Sequence, residues 1–186
     1  MPITPFHLGP GAALKAMLGR RMSFTVFGLA NGLIDLEPIA NFVLTGDPAH
    51  RFFHTLIGAT IVVLVSVWPG RLLCERLLRW WNSRLSPAQA RYLAAEPAIG
   101  VGAAVTGAAL GAYSHVALDS IMHVDVLAFA PFSERNALQG LISIDALHLG
   151  CVLAGLAGLA ALALPMVRGA APSGTAARTE RHPKTR

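Results

Sequence analysis

Four long apolar stretches divide the chain, and each is close to the length needed to cross a bilayer. They cover about residues 24–44, 50–68, 97–122 and 138–167. A transmembrane helix needs about 20 predominantly apolar residues, so each stretch predicts one membrane-spanning helix. The pattern as a whole predicts an all-α integral membrane bundle of four long spans.

Two shorter elements complete the predicted bundle. Residues 11–19 predict a short N-terminal helix, because Pro10 suits a first helical turn. Residues 71–85 mix arginines and tryptophans with leucines, which is typical of an amphipathic helix at the membrane interface. Pro69-Gly70 is expected to end the second span, just before this amphipathic helix. Pro38 is expected to kink or break the first span. Residues 1–168 are expected to form one membrane-embedded domain, followed by a disordered basic tail over residues 169–186.

Composition supports the membrane assignment and excludes a nucleic-acid partner. The 186 residues are 54% hydrophobic and 13% charged, whereas soluble domains carry about 25% charged residues. The net charge is +5, but 13 of the 15 Lys and Arg residues lie in residues 1–23, 71–96 and 168–186. Such clustering between spans marks cytoplasmic segments. The chain is therefore predicted to be a multi-pass protein of the bacterial inner membrane, with a cytoplasmic tail and no disulfide between its two cysteines.

Most histidines and acids of the apolar stretches fall toward the non-cytoplasmic ends of the predicted spans. His115, Asp119 and His123 are spaced by four residues and would share one face of a helix. The same spacing relates His50 to His54. The other members of this outer set are Asp35, Glu37, Asp125, Asp145 and His148. His7 joins them if its helix starts at the outer face, which predicts a distance of about 6 Å or less to His115 or Asp119.

Imidazoles and carboxylates that converge on one side of a membrane protein indicate a metal site. Buried charges in a bilayer are costly without partners, and these groups are the usual ligands of zinc, manganese and iron. One or two divalent cations are expected, with zinc first and manganese or iron as alternatives. The predicted ligands are His7, Asp35, His50, His54, His115, Asp119, His123 and Asp125. The alternative is that His115 and Asp119 only hydrogen-bond each other inside the bundle.

The order of these motifs resembles that of bacterial membrane-bound metal-dependent hydrolases, whose ligand pattern is similar to that of zinc-dependent phospholipase C. The likeness covers about residues 4–150. It rests on His7, on the Ile-Asp-Leu-Glu-Pro segment 34–38, on the HR…HT pair and on the H-x-x-x-D motif 115–119. The resemblance implies ligands at His7, Asp35, His50 or His54, His115 and Asp119, with Glu37 in place of a second acid. The chain departs from the family because its two paired histidines are one residue closer, no glycine follows Arg51, and His123 and Asp125 are additional.

A metal with such ligands would be a Lewis acid and would lower the pKa of a water molecule to about 7. Asp35 or Glu37, whichever is not a ligand, is the expected general base. The predicted activity is hydrolysis of a phosphoester or ester, from a lipid or a small molecule, because the site faces the outer leaflet. The sequence contains neither a Gly-x-Ser-x-Gly motif nor a P-loop. The alternatives are a transporter or ion-binding protein, and a scaffold with a structural metal.

Overall fold

The computed structural model describes residues 5–47 and 49–167, with only the backbone for residues 165–167. Every regular element in this part of the chain is a helix. The helices are α1 (Leu8–Leu18), α2 (Phe24–Thr45), α3 (Leu56–Arg84), α4 (Pro87–Leu93), α5 (Val101–Met122) and α6 (Ile144–Val167). Short 3₁₀ turns occupy Pro5–His7, Gly19–Arg21 and Phe52–His54. The predicted tail, residues 169–186, lies outside the described residues.

Helices α2, α3, α5 and α6 are long and apolar enough to cross a membrane. The outward faces of α3 and α6 present exposed leucines such as Leu64, Leu73, Leu153 and Leu159, as a surface in contact with lipid requires. The predicted all-α fold with four candidate spans is therefore confirmed. Three span starts differ from the prediction: the second span begins at Leu56, the third at Val101, and the fourth at Ile144 because residues 137–142 form turns and bends. Helix α2 continues through Pro38 without a break.

Helix α3 passes through Pro69-Gly70, so the expectation that these residues end the second span is wrong. Ser66–Gly70 form one π-helical turn inside the helix. Pro69 has no N–H for the regular i→i−4 bond and its ring would clash with the preceding turn, and a wider π turn relieves both problems. The predicted interfacial helix is thus the second half of α3. At 1.5 Å per residue the 29 residues of α3 span about 43 Å, so the end with Trp80 and Trp81 extends beyond a hydrocarbon core of about 30 Å.

Helices α2 and α5 approach closely because small residues line their contact. A Cβ atom at Gly107 would collide with the Ser23 carbonyl, and one at Gly111 with the Phe27 carbonyl. Ala104 and Ala108 of α5 are fully buried in the same contact region. Small residues allow helix backbones to approach each other in a membrane. The contact brings Asp35 of α2 beside the His/Asp motif of α5.

Helix α1 packs along α6 in the same direction. A Cβ atom at Gly9 would collide with the Cys151 carbonyl, and one at Gly158 with the backbone of Ala12. At the start of α1, the Phe6 ring stacks on His148 with 4.3 Å between centroids. The predicted short helix is therefore present and begins at Leu8. Its packing on α6 places His7, the residue before it, in the interior of the bundle.

Candidate metal centre

Five polar side chains from four segments meet in the interior and form what we call the inner cluster. Its members are His7 before α1, Asp35 in α2, His54 before α3, and His115 and Asp119 in α5. All five are buried, and both His54 and His115 are 0% exposed. Asp35, His54, His115 and Asp119 each offer a ligand atom, and these atoms lie within 4.8 Å of one another. A single ion with bonds of about 2 Å needs ligand atoms that lie this close together.

Asp119 is the centre of the inner cluster. Its Oδ1 lies 3.1 Å from Nε2 of His7, and its Oδ2 lies 3.2 Å from Nε2 of both His54 and His115. The His7 ring also stacks on the His115 ring at 4.2 Å between centroids. The proximity of His7 to α5 expected from the sequence is therefore observed, and one carboxylate faces three imidazoles.

The orientation of the His115 ring is set by Asn31. The Asn31 amide N–H donates to the Phe27 carbonyl oxygen at 2.9 Å, so its Oδ1 is the atom that faces Nδ1 of His115, at 3.1 Å. That oxygen can only accept, so Nδ1 of His115 must donate. In the neutral ring, Nε2 then carries a lone pair. Metal-bound histidines commonly have their second ring nitrogen held in this way.

The His54 ring is held between two carboxylates. Its Nε2 faces Asp119, and its Nδ1 lies 3.5 Å from Oε2 of Glu37. The same Glu37 oxygen accepts the backbone N–H groups of Arg51 at 3.0 Å and Phe53 at 2.9 Å. Burial would lower the pKa of His54, but the hydrogen-bonding carboxylates of Asp119 and Glu37 outweigh it and raise the pKa above its ordinary value.

The inner cluster fits a bound cation. Nε2 of His54 and Nε2 of His115 are buried and make no aligned hydrogen bond with any described residue, although oxygens of Asp119 lie within reach. Nε2 of His115 also lies 3.4 Å from Oδ1 of Asp35. Lone pairs of neutral rings would repel these carboxylate oxygens, so a positive charge must lie between them. A proton or a metal ion supplies it, and the donor set of imidazoles and carboxylates suits a divalent metal.

Glu37 offers a test of how the metal centre is held. Replacing Glu37 by glutamine removes the negative charge beside Nδ1 of His54 while keeping an oxygen for the two backbone N–H groups. We expect metal affinity to fall by about 10–100-fold, the usual effect of losing a ligand-orienting partner, with little change in thermal unfolding. Isothermal titration of the metal-stripped protein measures this. The matched control is Glu134→Gln on an exposed loop, and equal affinity in the two variants would contradict the role of Glu37.

Three further residues form a second group, the outer cluster, which consists of His50, His123 and Asp125. His50 donates its backbone N–H to Oδ2 of Asp125 at 2.8 Å, and its Nδ1 lies 3.0 Å from the same oxygen. Burial would raise the pKa of Asp125, but these contacts with His50 hold the pKa below its ordinary value. For His123, burial disfavours the charged ring and lowers its pKa below the ordinary value.

The expectation that His50 and His54 share a helix face is wrong, because both precede α3. His50 lies in an irregular segment and His54 at the end of a 3₁₀ turn. Their rings touch edge to face at 4.6 Å between centroids, but each faces a different cluster. The irregular backbone thus divides the predicted pair between two sites.

A cavity of about 480 Å³ opens beside the outer cluster. Its lining consists of His50, Arg51, Phe52, Thr55, Ile57, Asp125, Leu127, Ala130 and Pro131. The lining surface is mostly apolar, with one cationic side chain from Arg51. The cavity therefore combines an apolar wall with polar groups at one edge, as is usual for ligand sites.

The chain has no match among protein-family models, curated proteins or solved structures. The resemblance to membrane-bound metal-dependent hydrolases accordingly rests on the motifs alone. The metal-ligand roles of the eight predicted ligands and the base role of Asp35 or Glu37 stay predictions. The structure places five of the ligands in the inner cluster, three in the outer cluster, and Glu37 beside His54.

Sequence reasoning assigned no role to Asn31. The signal was present, because Asn31 precedes Asp35 by four residues and shares its helix face. Two residues of the predicted outer set do not join either cluster: Asp145 is exposed, and His148 stacks on Phe6. They differ from the cluster residues by lying on α6, whose contact partner is α1.

Proposed function

We propose that this protein is a membrane-embedded, metal-dependent hydrolase of phosphoesters or esters. The observation that carries the proposal is the inner cluster, in which ring nitrogens and carboxylate oxygens converge in a buried site. Carboxylates that face lone pairs in this way need a cation. The His50 ring lines the cavity and touches the His54 ring of the inner cluster at 4.6 Å between centroids, and this link to a ligand-sized space favours chemistry over a purely structural role.

The residues that would hold the metal are His7, His54, His115 and Asp119 of the inner cluster, which leaves Asp35 as the acid that is not a ligand. Zinc is the first candidate, and manganese or iron also suit this donor set. When bound, the ion would supply Lewis acidity and would make a nearby water molecule more acidic. Asn31 and Glu37 would fix the rings of His115 and His54 so that their Nε2 atoms face the metal.

Asp35 is our candidate for taking the proton of the attacking water. Its side chain is 10% exposed, compared with 3% for Asp119, so it is the acid of the inner cluster more open to a solvent molecule. Its only close polar contact among the described residues is with His115. The oxygen Oε2 of Glu37 is engaged by two backbone N–H groups and by His54, which favours a positioning role for Glu37.

The cavity favours a lipid substrate. Phe52, Ile57 and Leu127 give its wall an apolar surface, and Arg51 places a positive charge at its edge. An acyl chain and a phosphate group would match these two features. The clustering of basic residues in other segments of the sequence supports a site toward the non-cytoplasmic side of the inner membrane.

A transporter that uses the same cluster is the main alternative. It would need a polar path from the inner cluster to the basic end of the bundle. The described core on that side is apolar and tightly closed: Val26, Phe27, Ala30, Ala104 and Ala108 are all 0% exposed. Ions cross such a region only at a high energetic cost, so this arrangement favours hydrolysis over transport.

The test is hydrolysis by the purified protein in lipid nanodiscs, with phosphomonoesters, phosphodiesters, carboxylic esters and phospholipids offered in parallel. We expect turnover of at least one class that a chelator abolishes and added metal restores. His115→Ala should lower turnover by more than about 100-fold, because it removes a metal ligand and the contact with Asn31. Glu134→Gln, on an exposed loop outside both clusters, is the control and should keep full turnover.

Absence of chelator-sensitive turnover in a protein that carries metal would overturn the hydrolase proposal. Metal flux into proteoliposomes that depends on His115 would then establish the transporter. Retained metal with neither turnover nor flux would establish the structural role.

A further inference from the structure

The two clusters differ in how completely they enclose an ion. The inner cluster offers ligand atoms from four or five buried side chains, so it surrounds an ion on more sides. The outer cluster offers three, from His50, His123 and Asp125. His50 is 8% exposed, His123 is half-buried and Asp125 is exposed. Three protein ligands with one open side are the usual arrangement where a metal meets solvent or substrate.

Contacts with the rest of the protein already hold the three residues of the outer cluster in place. The backbone N–H of His50 fixes the Asp125 carboxylate at 2.8 Å, and the ring of His50 stacks on that of His123 at 4.4 Å between centroids. Asn136 donates to the backbone carbonyl of His123 at 3.0 Å, which holds the end of α5 in place. Ligand atoms of the three residues lie within 4.8 Å of one another.

The open side of this cluster faces the cavity. His50 and Asp125 both line it, together with Arg51. Neither residue is needed to complete the inner cluster, whose oxygens and ring nitrogens are supplied by other side chains. The outer cluster therefore has its own metal-binding atoms, its own hydrogen bonds that hold them, and its own opening to the cavity.

We propose that His50, His123 and Asp125 bind a second divalent cation, separate from the ion of the inner cluster and exchangeable through the cavity. Its open coordination position faces the space where the substrate would lie, and Arg51 adds a positive charge there. The natural occupant of that position is an anionic phosphate oxygen. The contact with substrate rests on the proposed function, whereas the second metal site does not.

Titration of the metal-stripped, full-length protein with Zn²⁺ or Co²⁺ tests the site without any assay of activity. The wild-type protein should bind two equivalents, one tightly and one more weakly, because three partly exposed ligands hold an ion less firmly than four buried ones. His123→Ala should remove the weaker equivalent and leave the tighter one. His115→Ala should do the reverse. Glu134→Gln, the control on an exposed loop, should bind both.

Asp125→Asn tests whether misfolding explains a loss of metal in His123→Ala. Asp125 is exposed and asparagine keeps the shape of its side chain, so this variant should fold normally. It should also lose the weaker equivalent, while Asp145→Asn, an exposed acid on α6, should lose neither. Addition of inorganic phosphate should change the visible spectrum of the weakly bound Co²⁺ in the wild type and not in His123→Ala.

A single equivalent in the wild type that His123→Ala does not remove, or two equivalents in both His123→Ala and Asp125→Asn, would overturn the second site. A single equivalent that His123→Ala removes and His115→Ala leaves in place would defeat the proposed function and leave the outer site standing. A phosphate effect that persists without His123 would overturn the open coordination position.

Discussion

Asp119→Asn is expected to abolish tight metal binding and to destabilise the bundle. The substitution keeps the size of the side chain but removes the one carboxylate that three imidazoles face. The buried rings of His54 and His115 would each lose one of their two carboxylate partners, and breaking a buried ionic contact costs on the order of 3–5 kcal/mol. Metal content by plasma mass spectrometry should fall by about one equivalent, in line with loss of a ligand that all three histidines of the inner cluster contact. Thermal unfolding in detergent should occur at a lower temperature.

Asp145→Asn is the matched control for that experiment, because Asp145 is an exposed acid in the first turn of α6. It should keep the metal content and unfolding temperature of the wild type. If Asp119→Asn retained its tight metal and unfolded like the control, Asp119 would not be a ligand and other residues would hold the metal.

Gly158→Leu is expected to separate α1 from α6 and to weaken metal binding from a distance. The new side chain would collide with the backbone of Ala12, and overpacking of this kind costs about 1–3 kcal/mol. Displacing α1 moves His7 away from Asp119, so metal affinity should fall by about 10–100-fold although no cluster residue has changed. The two measurements are thermal unfolding and isothermal titration of the stripped protein.

Gly150→Leu serves as the control, since a Cβ atom there has open space around it on the same helix. A double variant makes the test sharper. If Gly158→Leu acts by moving His7, then it should add no further loss of affinity to His7→Ala, because the two changes remove the same interaction. Additive losses would show that α1 contributes to the centre by another route.

The architecture could largely be predicted because it depends on composition and length. An apolar run of about 20 residues has few alternatives to a membrane helix, and the four candidate spans follow from that. The path of α3 through Pro69 could not be predicted. Proline usually ends or kinks a helix, and the π turn that accommodates Pro69 depends on tertiary packing, with Gly70 against Leu29 of α2.

The convergence of the candidate site could be predicted in part for a similar reason. Helical spacing placed His115 and Asp119 on one face, and the basic segments oriented the spans. The division of His50 from His54 could not be predicted from a four-residue spacing, because that spacing has meaning only on a helix. The backbone there is irregular, and Glu37 fixes it by accepting the N–H groups of Arg51 and Phe53. Such a contact between distant segments leaves no periodic signal in the sequence.

The pairing of α1 with α6 has a consequence for biogenesis. Helix α1 is synthesised before the other described helices, and its 11 residues span only about 16 Å, too little to cross the hydrocarbon core by itself. Its packing partner is the last described helix to leave the ribosome. His7 therefore has no fixed position while α2, α3 and α5 are inserted. The inner cluster is completed only after α6 has been translated, so the proposed metal would be bound late in maturation, and a nascent chain arrested before α6 would lack the support that places His7.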